Sequence, residues 1–410
     1  MFDSRAQSGR KVPLPLRARE KFIFWTAFAI CVCYAEFLAS GYRQGLWIID
    51  KAGHPVIDDF VVFWTVGKMA LKGAALSAYD WNREHAAELA AIGHPFWQLL
   101  GWYYPPLFLA VVMVPATLPY VPAFIVWCLV TLGLYAATVA SIAHRRVAFI
   151  VACAAPWVPI ELILGQNGFL SAAIIGLALL QLERRPALSG LVLGLLSFKP
   201  QLAILFPFAL AAGGYWRAFG WAALGLCLWN GLAAALFGFE SYVAFVHAMS
   251  IAADNHLVHS TPGWYKLQSP YGLARALGAS SSFAWCLQIA ASLSAALGVT
   301  ICWQNKAISF EIKAALLICA LMIATPYLLH YDIPIIGAGA AFLFRDRPFD
   351  KFELVAMGAA IPLLFAPALP GLSVLPIALL AALVLLIVAL RRLRASRGSI
   401  QLSHARHNPA

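Results

Sequence analysis

Charge is what this sequence has least of. Asp, Glu, Lys and Arg make up 11% of its 410 residues, against about 25% in soluble domains. An ordinary soluble globule is therefore excluded, and 62% apolar residues with a mean hydropathy of +0.79 make the bilayer the solvent. Ligand-grade cysteine is missing too. Cys31, Cys33, Cys128, Cys153, Cys227, Cys286, Cys302 and Cys319 lie in or beside apolar spans, with no CxxC pair and no His at zinc spacing. A disulfide framework and a zinc centre are excluded on that pattern. His247, His256 and His259 have no metal-ligand spacing, and no DxD sequence stands in the predicted outer loops. No soluble stretch presents a basic face interleaved with aromatics, so nucleic acid is not an expected partner. Internal repeats are absent.

What the chain does have is positive charge in the right places. The net charge of +11 gathers in the two tails and in short loops, a pattern that orients a protein in a membrane and meets anionic lipid. The clusters are 5–21, His144-Arg145-Arg146, Arg184-Arg185, Arg217, 306–313, 345–351 and 391–397. If all face the cytoplasm, each stretch between them leaves the membrane and returns, which predicts an all-α polytopic protein with roughly twelve crossings of about 20 residues. Residues 1–20 form a basic cytoplasmic tail, 21–394 a single membrane domain, and 395–410 a disordered cytoplasmic tail. The first apolar span, 22–42, lacks a small-residue cleavage site and reads as a retained helix. Between residues 106 and 143 two apolar segments compete for one return crossing. The longer, 121–143, is the predicted span, and 106–119 a short helix on or dipping into the outer surface. Residues 43–120 then form a first outer loop and 238–276 a second.

Polar residues on that outer side are the candidates for function, because an ionisable group at membrane depth is costly. Asp58 and Asp59 open the helix predicted from Phe60. Either could serve as its cap, and either could be a catalytic carboxylate. Lys199, in Ser197-Phe198-Lys199-Pro200-Gln201, is a cation for a phosphate or a lysine snorkelling from a helix end. His330, beside Tyr331-Asp332, is an anchored interfacial histidine or a donor to a phosphate or sugar oxygen. Gln166 and Asn167 are a turn and cap, or amides for sugar hydroxyls. Glu36 and Glu161 read as structural. The aromatics Trp47, Trp64, Trp81, Trp97, Trp102, Tyr103 and Tyr104 suit an interfacial belt, with a sugar platform as the other reading.

These motifs resemble a family. Asp-Phe and aromatics after the first helix, then Lys72-Gly73 and Ala78-Tyr79-Asp80, are similar to the start of glycosyltransferase family 87. These are polyprenol-phosphate-mannose-dependent mannosyltransferases of the glycosyltransferase C (GT-C) superfamily. Tyr104-Pro105-Pro106-Leu107-Phe108, Gly165-Gln166-Asn167, Gly194 with Lys199-Pro200, Gln268-Ser269 and Pro326 with His330 follow in matching order, so the resemblance covers about residues 22–390. It implies a GT-C-type helical bundle whose first outer loop carries the catalytic aspartate and short juxtamembrane helices. It also implies transfer of a hexose, mannose in the best-known members, from a polyprenyl-phosphate carrier to a hydroxyl outside the cytoplasm. Asp59 matches the family's aspartate, with Asp58 its neighbour.

On that basis Asp59, with Asp58 second, is the expected base for the acceptor hydroxyl. Lys199 and His330 face the departing phosphate, and Gln166, Asn167, Tyr104 and Gln268 meet sugar or acceptor. One base without a nucleophilic carboxylate implies inversion. No cofactor or metal is expected. The expected partners are the lipid-linked donor, a glycolipid or glycan acceptor and membrane lipids, at the outer face of the plasma membrane. The rival from another class is a transporter or flippase of a lipid-linked sugar or small solute, for which related halves with broken midplane helices are the usual mark.

Overall fold

A computed structural model describes residues 16–96, 100–253, 263–362 and 376–407. Among them the regular structure is helical, interrupted only by isolated β-bridges. In chain order the helices are α1 (Leu16–Gln44), α2 (Asp59–Leu71), α3 (Trp81–Ile92), α4 (Pro106–Ala116), α5 (Tyr120–Ala143) and α6 (Val147–Cys153). Then come α7 (Val158–Leu164), α8 (Gly168–Gln181), α9 (Pro186–Leu195), α10 (Phe206–Ala212), α11 (Trp216–Phe237) and α12 (Glu240–Ala253). The chain continues through α13 (Pro270–Ala276), α14 (Ser281–Gln304), α15 (Phe310–Ala324), α16 (Pro334–Asp346), α17 (Lys351–Ala360) and α18 (Ile377–His407).

Length and apolarity divide these helices into two sets. Among the described residues four, α1, α5, α11 and α14, are long and apolar enough to cross a bilayer; α6 and α7, bent by 59° at their break, make a fifth if taken as one span. The basic clusters predict about twelve crossings, more than these four or five, and the other apolar helices are short. α8, α15 and α16 have 14, 15 and 13 residues, or about 20–23 Å at the helical rise, less than the ~30 Å hydrocarbon layer. They form the centre instead. Leu317, Ile318, Leu321 and Met322 of α15 are all fully buried, as expected of a helix hydrophobic on every side.

Around that centre, α5 and α16 pack on α8, and α14 and α18 on α15. α9 is clamped between α8 and α11. A Cβ on Gly194 would lie 2.6 Å from the Gly225 carbonyl carbon, so only glycine permits the two backbones to come this close. The outer helices turn their side chains to lipid: Phe22 of α1, Leu232 of α11 and Leu293 of α14 are 69%, 51% and 65% exposed. At the end carrying the 345–351 and 391–397 clusters, Arg392 is buried and pairs with Glu353 of α17 at 2.7 Å. Part of the orienting charge therefore also closes the bundle.

The two apolar segments of 106–143 divide as their lengths require: α5 is a full span and α4 has 11 residues. α4 is largely buried, with Val114 left exposed. It packs against α2, α5 and α11, with Phe108, Leu109 and Val112 wholly buried. Pro105 and Pro106 start it, where missing N–H groups cost nothing. Trp97, His256 and His259 lie outside the described residues.

Candidate active site

Four breaks between helices meet at one end of the bundle, and each has a local cause. Asp58 ends the extended stretch before α2 by accepting from the Phe60 and Val61 N–H groups at 3.0 and 3.1 Å; the Tyr120 hydroxyl donates to the same oxygen at 3.2 Å. This is helix capping. Asp58 is 8% exposed, and burial, reinforced by the Asp59 charge, raises its carboxyl well above the ordinary range. Asp59, the first residue of α2, faces the other way, into a cavity. Lys72 and Gly73 end α2, Gly73 at φ +76°, and Asp80 caps α3 through the Asn82 and Arg83 N–H groups. The Lys72-Gly73 and Ala78-Tyr79-Asp80 motifs thus shape the loop; the Tyr79 hydroxyl donates to the Tyr104 carbonyl at 3.0 Å.

The second break separates α7 from α8. Gly165 ends α7 in the left-handed region, and the Trp127 indole donates to its carbonyl at 2.9 Å. Glu161 accepts from the Gly168 N–H that opens α8. A Cβ at Gly168 would sit 1.8 Å from the Tyr331 carbonyl oxygen, so the 330–332 turn is pressed directly against the start of α8.

Lys199 lies at the third break, between the 3-10 turns Leu196–Phe198 and Pro200–Leu202. It is 3% exposed, and its Nζ donates to Asp332 Oδ1 at 2.6 Å. The other Asp332 oxygen accepts from the Leu329 N–H at 3.2 Å, and the Tyr331 ring centroid is 4.7 Å from Nζ. A buried charge of this kind needs its partner. Lys199, read from sequence as a cation waiting for phosphate, therefore has its charge already met inside the wall.

The fourth break, 325–333 between α15 and α16, carries Tyr327, His330, Tyr331 and Asp332. A β-bridge of Leu267 with Leu329, together with the Gln268 N–H donating to the Leu328 carbonyl at 2.7 Å, clips it to the 263–268 turn. Lys266 thereby comes to the same cavity as His330.

The cavity so enclosed has a volume of about 350 Å³, within the range of ligand pockets. Its lining is mixed: Asp59, Tyr103, Tyr104, Gln166, Lys266 and His330 contribute polar groups, and Val62, Phe63, Phe198, Phe245 and Met249 apolar ones. Tyr104 donates to Gln166 Oε1 at 3.3 Å, and the same oxygen accepts from the Asn167 N–H. Burial raises the Tyr104, Tyr327 and Tyr331 hydroxyls, with the Asp59 charge adding to each, and lifts Tyr103 to about 12. These phenols stay protonated donors at neutral pH. Burial lowers the His330 imidazole against the pull of Asp59, and the Lys266 charge adds to the lowering.

Of the residues singled out from sequence, Asp59, Lys199, His330, Gln166 and Tyr104 share this one cavity, although far apart in the chain. Three do not line it. Asp58 is the cap just described. Asn167 is fully buried behind Gln166, its carbonyl accepting from Ser171 in the first turn of α8. Gln268 is 3% exposed and accepts from the Ala378 N–H at 3.0 Å, fastening the start of α18. The aromatic belt needs correction as well: Trp102 is 3% exposed and stacks on Phe108 inside the core. Asp332, Lys266, Tyr327 and Tyr331 were not singled out from sequence. The usable signal for Asp332 was Lys199 itself, since a lysine buried at a helix break demands a carboxylate. Among the described residues no group of three or more His, Cys, Asp or Glu side chains is disposed to hold a metal.

Comparison with known proteins gives one result. The sequence model of glycosyltransferase family 87 matches residues 102–326, more than half of the chain. The match takes in Tyr104, Gln166, Lys199 and Lys266, while Asp59 and His330 lie to either side of it and reach the same cavity through the fold. No curated protein and no solved structure matches the chain.

Proposed function

The chain belongs to glycosyltransferase family 87, and from that premise we propose that its cavity transfers a hexose from a polyprenyl-phosphate carrier to a hydroxyl of a glycolipid or glycan. The sugar is mannose if the chain follows the best-known members, and the site opens on the outer face of the plasma membrane. The observation that carries this reading is the mixed lining of the cavity. A carboxylate and several polar donors line it together with apolar side chains, which suits a donor with an anionic head and a hydrocarbon chain.

In the proposed reaction Asp59 accepts the proton of the acceptor hydroxyl as its oxygen bonds to the anomeric carbon. The bond from that carbon to the phosphate oxygen breaks, and the phosphate leaves with the electron pair. Attack from the face opposite the leaving group inverts the sugar carbon. Neutral His330 and the protonated tyrosines donate hydrogen bonds to phosphate or sugar oxygens, and Gln166, held by Tyr104, orients a sugar hydroxyl. Such contacts strengthen where water is excluded. The reading requires no metal, so EDTA is expected to leave the rate unchanged.

The test is transfer by the purified protein in liposomes with radiolabelled polyprenyl-phosphate hexoses. Label should move covalently to an acceptor lipid or glycan. Passage of the intact donor across the bilayer, without covalent change, would instead identify a flippase.

A further inference from the structure

Two lysines line the cavity, and they are in opposite electrostatic situations. Lys199 is buried, 2.6 Å from Asp332, with Glu161 close enough for the lysine and aspartate charges to act on it. The charge of that group is zero or negative, so it has no surplus to offer an anion. Moving Lys199 toward a ligand would also strand Asp332, which is 1% exposed, and an uncompensated buried charge is strongly unfavourable.

Lys266 is different. It closes the short turn Trp264–Lys266, is half-buried on the cavity wall, and makes no ion pair with any described residue. The Leu267–Leu329 bridge holds its backbone beside the turn that carries His330. Its charge is felt at His330, so the two groups flank one region of the cavity. A neutral imidazole and a cation side by side form a donor pair suited to a phosphate monoanion or dianion. Asp59 acts electrostatically on the same His330, so an anion held there lies near the carboxylate that faces the acceptor.

We propose that Lys266, and not Lys199, supplies the positive charge that binds the lipid phosphate, while Lys199 holds Asp332 and the helix breaks around it. This deepens the function proposed above and rests on it. A lysine at the surface of the cavity can follow the phosphate as it separates from the sugar, because its four-carbon stem is flexible; Lys199, locked in its pair, has no such freedom.

The measurement is binding of a polyprenyl monophosphate to the purified full-length protein in detergent, at low and high salt. Wild type is expected to bind and to weaken as salt rises. Lys266→Gln should bind ~10–100-fold more weakly, the effect of losing one charged contact, and should lose most of the salt dependence. Lys266→Arg should recover affinity, and Lys72→Gln, at an exposed site outside the cavity, should match wild type. Lys199→Gln should lower thermal stability, while its folded fraction keeps the salt dependence. Lys266→Gln binding as wild type does, or salt dependence lost with Lys199→Gln instead, overturns the assignment alone. A wild-type protein that binds no polyprenyl phosphate overturns the transferase reading and this inference together.

Discussion

Asp58 and Asp59 are adjacent carboxylates with different neighbours, and substitution separates their roles. Asp58→Asn keeps the Oδ1 acceptor for the Phe60 and Val61 N–H groups, so fold and transfer should both survive. Asp58→Ala should cost about 1 kcal/mol, the usual loss for an N-cap, read as a lowered midpoint of thermal unfolding. Asp59→Asn should leave that midpoint in place and lower the transfer rate ~10²–10⁴-fold, the range for a lost general base. Full activity of Asp59→Asn would remove the base from the mechanism. The same logic applies to the buried pair. Lys199→Met leaves Asp332 without its partner and should destabilise by about 3–5 kcal/mol. Adding Asp332→Leu removes the stranded charge and should recover most of that loss. A double variant no more stable than the single would show that Lys199 is held by something other than Asp332.

At the scale of elements, α3 carries a buried pair of carboxylates. Glu84 and Glu88, one turn apart, are 1% and 0% exposed, and the His85 imidazole stands 3.6 Å from Glu88. Burial, and then the neighbouring Glu88, push the Glu84 carboxyl up to about 11 from 4.5. The folded protein therefore holds a proton that the unfolded chain releases above pH 4.5. This contribution to stability is complete below that pH and drains away as pH rises toward 11. Glu84→Gln keeps a donor for Glu88 without a proton to lose. It should flatten the fall of thermal stability on the alkaline side and exceed wild type there by about 1–3 kcal/mol. Parallel pH profiles for the two proteins would disprove the assignment. The cap of α2 was legible in advance, as an aspartate ahead of Phe60, whereas the roles of Gly73 at its end and Asp80 at the start of α3 came only with the structure. The burial of α4 was not legible either, because eleven apolar residues read alike on a membrane surface and between two helices.

For the molecule as a whole, apolar surface divides the lipid-facing helices from the interior ones. Leu293, at the middle of α14, is 65% exposed. Leu293→Arg should reduce membrane insertion by about 2.5–3.5 kcal/mol, the cost of a charge at the centre of a span, measured as the fraction of chains resisting alkaline extraction. An unchanged fraction would mean that α14 does not face hydrocarbon. The four or five helices long enough to cross are fewer than the roughly twelve crossings expected from the basic clusters, and the short helices α8, α15 and α16 lie at the centre. Helices surrounded by protein need not match bilayer thickness, and their broken ends, with backbone groups freed by Pro and Gly, are tolerated where protein or a cavity covers them. Those broken ends are where Asp59, Gln166, Lys199 and His330 meet.

By itself the sequence determined the solvent, the helical class, an aspartate cap ahead of Phe60 and the small set of polar residues too costly to be idle. All of these follow from composition and from interactions within a few positions of one another. Only the tertiary structure decided which of those residues face a common cavity. It set Asp59 inward and Asp58 into a cap, fastened Gln268 to α18, gave Lys199 to Asp332 and left Lys266 on the cavity wall. Each of these is a contact between segments remote in the chain, and a buried charge finds its partner through packing, which no local pattern of residues encodes.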